Sequence, residues 1–125
     1  MNEATPNLFR RGTFQLASGI VSPFKIDCDA LSREDWEGLA AVAATLLPAF
    51  GDVEGVPTGG LAFANALRQF SRPDGQLLIA DDVCTTGVAL ERQRNGRPAI
   101  GIVAFARGPV PDWVSAVFSM GLICM

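Results

Sequence analysis

Leu77-Leu78-Ile79-Ala80-Asp81-Asp82-Val83-Cys84-Thr85-Thr86-Gly87 decides how this chain is read. An apolar run of strand length ends in adjacent carboxylates. After Val83 and Cys84 come two hydroxyls and a glycine, opening a stretch with helical character. A buried parallel strand would deliver the acidic pair to the carboxyl edge of a sheet, where open α/β folds place their ligands. Thr85, Thr86 and Gly87 would then surround the amino end of the next helix, where unpaired N–H groups and the helix dipole attract a phosphate. Carboxylates beside a phosphate site suit a ligand that also carries sugar hydroxyls or a divalent metal. The stretch therefore predicts a sugar-phosphate site.

The whole sequence bounds what else is possible. Its 125 residues suit one domain, residues 1–125, with enough chain to bury a real core. A net charge of −3 provides no broad basic surface, which argues against nucleic acid or an anionic membrane as a partner. No apolar stretch is long enough to cross a bilayer, and the amino end, with Asn2, Glu3 and Pro6, has no signal-peptide core. A soluble, cytoplasmic protein is expected. Cys28, Cys84 and Cys124 are odd in number and lack metal-ligand spacing, and the absence of His argues against zinc, so reduced thiols are expected. The apolar fraction of 49% is high for a small domain and predicts a patch covered by a second subunit, a homodimer.

Along the chain, Gly12 to Ile26 reads as a short edge hairpin: Phe14 and Leu16 alternate with polar residues, Ser18-Gly19 makes a turn, and Pro23 interrupts the return strand. Ser32 is a predicted N-cap, and Trp36, Leu39, Ala40, Ala43, Leu46 and Leu47 recur at helical spacing up to Pro48. Asp52 to Val56 reads as a strand, Pro57-Thr58-Gly59-Gly60 as a tight loop, and Leu61, Ala64, Leu67 and Phe70 as the stripe of a helix. Beyond the opening stretch, Val88 to Arg94 continues as a helix that Asn95-Gly96 stops. Pro98 to Ala106 reads as a buried strand, and Trp113 to Met125 as a last strand or a covered patch. The alternation predicts an α/β fold: a central parallel sheet with helices on both faces, preceded by the hairpin.

Three segments resemble type I phosphoribosyltransferases, and the orotate branch in particular. The Leu77–Gly87 stretch is similar to their signature for phosphoribosyl pyrophosphate (PRPP). Gly55-Val56-Pro57-Thr58-Gly59-Gly60 is similar to their pyrophosphate loop. Gly12-Thr13-Phe14-Gln15-Leu16-Ala17-Ser18-Gly19-Ile20-Val21-Ser22-Pro23 is similar to the amino-terminal segment that forms part of the base pocket in orotate enzymes. The resemblance implies a Rossmann-like fold and transfer of a phosphoribosyl group from PRPP to an orotate-like base, with Mg2+ arriving on PRPP. By position, it implies that Asp81 and Asp82 bind ribose and help hold the metal complex. Val83, Cys84, Thr85, Thr86 and Gly87 would hold the 5′-phosphate, Pro57, Thr58, Gly59 and Gly60 would face pyrophosphate, and Ser18, Phe24 and Lys25 would line the base pocket.

Departures from that pattern bear on activity. Ala17 stands where the family usually has Lys, and Gly59 aligns near a position that is commonly basic there. After Phe70 only Ser71-Arg72-Pro73-Asp74-Gly75 precedes the signature strand, where the orotate family has another strand and a flexible basic loop that closes over PRPP. Arg68 and Arg72 are the nearby candidates to replace those cations, and solvated helix-end charges are the preferred reading of both. Cys84, next to a helix start, is a packing residue whose thiol the helix would lower in pKa. Two readings follow: a minimal phosphoribosyltransferase, or a module that binds PRPP, a nucleotide or a sugar phosphate without turnover.

Overall fold

The computed structural model describes residues 8–15 and 21–120. Two antiparallel strands, β1 (Phe9–Gln15) and β2 (Val21–Ile26), form the expected hairpin, with the register slipping between Arg11 and Phe14. A single 3-10 turn, Cys28–Ala30, leads to α1 (Arg33–Leu46). That helix starts where the sequence predicts. Ser32 Oγ accepts from the Asp35 amide at 3.1 Å while the Asp35 carboxylate accepts from the Ser32 amide at 2.9 Å, a reciprocal cap that satisfies two otherwise orphaned donors.

The rest of the chain builds a four-stranded sheet in the order β3 (Phe50–Gly55), β4 (Gln76–Cys84), β5 (Ile100–Ala106), β6 (Val114–Ser119), and every neighbouring pair is parallel. Helix α2 (Leu61–Leu67), extended by a 3-10 turn over Arg68–Phe70, joins β3 to β4; α3 (Val88–Arg94) joins β4 to β5. The predicted stop is present, with Asn95 and Gly96 both at positive φ (53° and 76°).

Period-2 alternation sends β4 and β5 side chains to two cores. Leu78, Ala80, Ile102 and Ala104 meet Trp36, Ala40, Phe63 and Leu67 of α1 and α2, and the Trp36 and Phe63 rings lie 5.4 Å apart. Ile79 and Val103 point the other way, onto Leu90 of α3. Helices thus cover both faces, as predicted. A Leu67→Ala or Ile79→Ala change here, at fully buried side chains, falls in the range of about 2–5 kcal/mol for opening a core cavity. Two stripe positions read as core face outward instead: Leu46, the last residue of α1, and Leu61, the first of α2, are exposed.

The second face is tied down by charge. Arg97 donates to both carboxylate oxygens of Glu54 (2.7 and 2.8 Å) and Gln93 adds a third contact at 3.0 Å, which holds the Glu54 carboxyl down at about 2. These contacts anchor the far end of α3 to β3.

Both crossovers advance in the same direction across the sheet, from β3 to β4 and from β4 to β5, yet α2 and α3 lie on opposite faces. The two connections therefore have opposite hands. One of them has the left hand that parallel sheets almost never use.

Candidate functional site

The site is assembled at the carboxyl ends of the parallel strands. The signature strand runs further than its apolar run suggests: β4 continues through Asp81 and Asp82 to Cys84. The acidic pair is therefore held inside a paired strand, with Asp81 opposite Val103 of β5, and its backbone cannot drift as a turn would. Each carboxylate accepts the next amide along the chain, Asp82 N–H to Asp81 Oδ1 at 2.8 Å and Val83 N–H to Asp82 Oδ1 at 2.7 Å.

Asp81 is buried, with 7% of its surface exposed. Burial, then a side-chain hydrogen bond with Asp82 and that neighbour's charge, push its carboxyl up to about 8. At neutral pH the pair thus favours holding one proton. Cys28 lies close enough to be affected: burial, followed by the charge of Asp82, raises its thiol to about 12. Cys84 packs in the second core, and its thiol is also raised, by burial and by Asp81. The helix-start effect expected to lower it is overruled.

The loop after β3 closes against this pair. The Val56 amide donates to Ala80 O and the Gly60 amide to Val56 O, both at 2.8 Å, so Pro57–Gly60 folds back as a turn whose Pro57–Thr58 peptide is cis. Gly59 is pressed onto Asp82: a Cβ there would stand 2.8 Å from Asp82 Cγ. Gly60 has no room either, since its Cβ would meet Ala80 O at 2.5 Å. The glycines of the predicted pyrophosphate loop are thus required by close approach to the acidic strand.

On the other side, Thr85, Thr86 and Gly87 make the turn from β4 into α3. Gly87 has φ +87° and lies against Pro111 of the β5–β6 connection, where a Cβ would come within 2.8 Å of the Pro111 ring. The Thr86 hydroxyl accepts weakly from the Val88 amide at 3.4 Å.

A cleft of about 910 Å³ connects these parts. It is lined by Pro57 and Gly59, by all of Asp81 to Gly87, and by Thr13, Gln15 and Ile26 of the hairpin. The hairpin therefore borders the cleft, through residues other than those expected to line a base pocket. Ser18 lies outside the described residues, as do the side chains of Phe24 and Lys25. Two cations that the sequence reading passed over also line the cleft, Arg92 of α3 and Arg107. Arg107 directly follows β5, and its amide donates to Cys84 O at 2.8 Å. The signal for it was present: it is the first charged residue after a buried strand, at the edge where parallel sheets bind.

The two candidate replacement cations lie elsewhere, in keeping with the preferred reading of them as helix-end charges. Arg68 donates to Val53 O at 3.0 Å, and Arg72 lines a separate hollow with Gly51 and Gly75 at the amino end of the sheet. Parallel strands put opposite ends of β3 and β4 at opposite edges, so Arg72 cannot reach the cleft.

No protein-family model matches the chain, and no curated protein sequence matches it significantly. Solved structures do. Orotate phosphoribosyltransferase from Aeropyrum pernix superposes with a TM-score of 0.70 at 23% identity, over 90% of this chain and 88% of that one. The enzyme of that name from Mycobacterium tuberculosis H37Rv gives 0.65 at 16% identity, over 90% and 89%. UMP synthase from Leishmania donovani gives 0.66 at 20% identity, and this chain matches 34% of its length. The chain has the type I phosphoribosyltransferase fold.

Proposed function

We propose that this chain is a phosphoribosyltransferase of the orotate type, which binds PRPP and transfers its phosphoribosyl group to a carboxylated, pyrimidine-like base with release of pyrophosphate. The observation that carries the reading is the convergence, in one cleft of this fold, of Asp81 and Asp82, the Thr85–Gly87 turn, and Pro57 and Gly59 of the loop after β3. Asp81 and Asp82 accept hydrogen bonds from the ribose hydroxyls. Thr85, Thr86 and Gly87 hold the 5′-phosphate. Pro57 has no N–H and that of Gly60 is committed to Val56, which leaves the amides of Thr58 and Gly59 to face pyrophosphate. Arg107 suits the carboxylate of the base, since a guanidinium pairs with that group through two parallel hydrogen bonds. In the transfer, the bond from C1′ to the pyrophosphate oxygen breaks with its electron pair leaving on pyrophosphate. The base nitrogen, having lost its proton to solvent, supplies the pair for the new bond.

Mg2+ fits this donor set as a ligand-borne ion. Among the described residues no group of three or more His, Cys, Asp or Glu could hold a metal alone, but Mg2+ needs only one or two carboxylates when phosphates complete its shell. Asp81 and Asp82 would hold the ion through PRPP, and the ion would supply charge for the departing pyrophosphate.

One observation favours a second reading, a PRPP, nucleotide or sugar-phosphate binding module without turnover. Only residues 71–75 link the Arg68–Phe70 turn to β4, so no segment there covers the pyrophosphate side. Preorganised charge of the kind such a loop carries is worth about two to three orders of magnitude per group. A homodimer is the way the first reading recovers it, and the exposed Val42, Leu46 and Phe118 are apolar surface available for one.

Calorimetry with PRPP and Mg2+, combined with an assay for orotidine phosphate from added orotate, tests both. Binding with turnover is the expected result, and binding without turnover selects the module. The Asp81→Asn, Asp82→Asn double variant is expected to lose PRPP; parent-like affinity for every sugar phosphate would overturn both readings.

A further inference from the structure

We infer that Arg92 is a phosphate-selecting residue of this cleft, its guanidinium closing over the group held by the Thr85–Gly87 turn. The inference rests on the reading above that the cleft takes a sugar phosphate.

It starts from how the cations near α3 are used. Arg94 is spent on structure: it bonds Glu91 at 2.7 Å and lies 4.4 Å above the Trp113 ring, whose indole N–H donates to the same Glu91 at 2.8 Å. Arg97 is spent on Glu54. Arg92 has no hydrogen bond or ion pair among the described residues, is exposed, and lines the cleft. Position on the helix explains why. Val88, Ala89 and Arg92 share one face at i, i+1 and i+4 and line the cleft together with Leu90, which also packs into the second core, whereas Arg94 turns to the Trp113 brace.

Direction matters as much as face. A helical side chain leans toward the amino end of its helix, so a long one at position 92 is directed toward the turn where α3 begins, and Thr86 and Gly87 of that turn line the same cleft. The helix itself cannot do this work. With seven residues, and Gly87 in the left-handed region at its start without a side-chain cap, α3 offers a weak field, and the cradle otherwise consists of neutral hydroxyls and amides. A guanidinium adds the full charge and the paired donors that a phosphate dianion takes. Without it the turn would distinguish poorly between a phosphorylated sugar and a free one.

The experiment compares ribose 5-phosphate with ribose by calorimetry for the parent, Arg92→Ala and Arg92→Lys, with thermal unfolding of each. Because Arg92 is exposed and unpaired among the described residues, unfolding temperatures should coincide. Arg92→Ala is expected to bind ribose 5-phosphate about tenfold more weakly, Arg92→Lys to fall between, and the salt dependence of binding to flatten in Arg92→Ala. Parent-like affinity and salt dependence in Arg92→Ala would overturn the inference while leaving the sugar-phosphate reading intact. A parent that binds neither ribose 5-phosphate nor PRPP would overturn that reading, and this inference with it.

Discussion

Asp81 shows how burying a single carboxylate beside another costs the fold stability. Its carboxyl has an ordinary value of 3.8 in the unfolded chain and about 8 in the folded one. The folded protein therefore keeps a proton that the unfolded chain has released, and the Asp81 contribution to stability falls as pH rises from about 4 to about 8, then levels off. Asp81→Asn removes the titration while preserving shape. It is expected to stabilise the protein by about 1–3 kcal/mol near pH 8, with the gain vanishing at about pH 3, where Asp81 is mostly protonated in both states. Urea unfolding at the two pH values checks this, and a variant no more stable than the parent at the higher pH would show that Asp81 is not strained by its surroundings. The same variant should bind PRPP poorly, the usual exchange of function for stability at a built site.

At the scale of elements, the site consists of three strand ends and the turns that leave them, and much of it was legible. The Leu77–Gly87 stretch revealed strand, acidic pair and turn because all three depend on local sequence, and the Ser32 cap and Asn95-Gly96 stop were readable for the same reason. What local sequence could not show is which turns meet. Gly59 reads as an ordinary loop glycine until β3 and β4 are paired and it is found against Asp82. Likewise Arg107 acquires meaning only once β5 lies beside β4, and Cys84 is governed by burial rather than by the helix start its position suggested. Gly59→Ala tests that meeting directly. The added methyl must displace the Asp82 carboxylate or the loop, so ligand affinity should drop at least about tenfold, with a stability loss of about 1–3 kcal/mol. Parent-like PRPP affinity in calorimetry would mean that the loop and the acidic pair act independently.

For the whole molecule, the opposite-handed crossovers and the misplaced arginines have one explanation. If a further strand lay on the outer side of β3, α2 would lead away from β4 toward it, and the same helix on the same face would make the opposite-handed crossing. The orotate-type resemblance implies such a strand and loop in the interval where this chain has residues 71–75. Shortening that interval joins α2 straight to β4, reversing the hand of one crossover and removing the cations the segment would have brought over the cleft. What replaces them is decided by sheet polarity. Arg72 sits at the amino edge beside Gly51 and Gly75, and Arg92 and Arg107 sit at the carboxyl edge. Arg72→Ala is therefore expected to leave PRPP and orotate affinity within about twofold of the parent, whereas Arg107→Ala should weaken the carboxylated base by about tenfold or more while sparing ribose 5-phosphate. Calorimetry with each ligand separates the two. If Arg72→Ala lost affinity and Arg107→Ala did not, the ligand would be bound at the amino edge, and the assignment of the cleft to the carboxyl ends of the strands would be wrong.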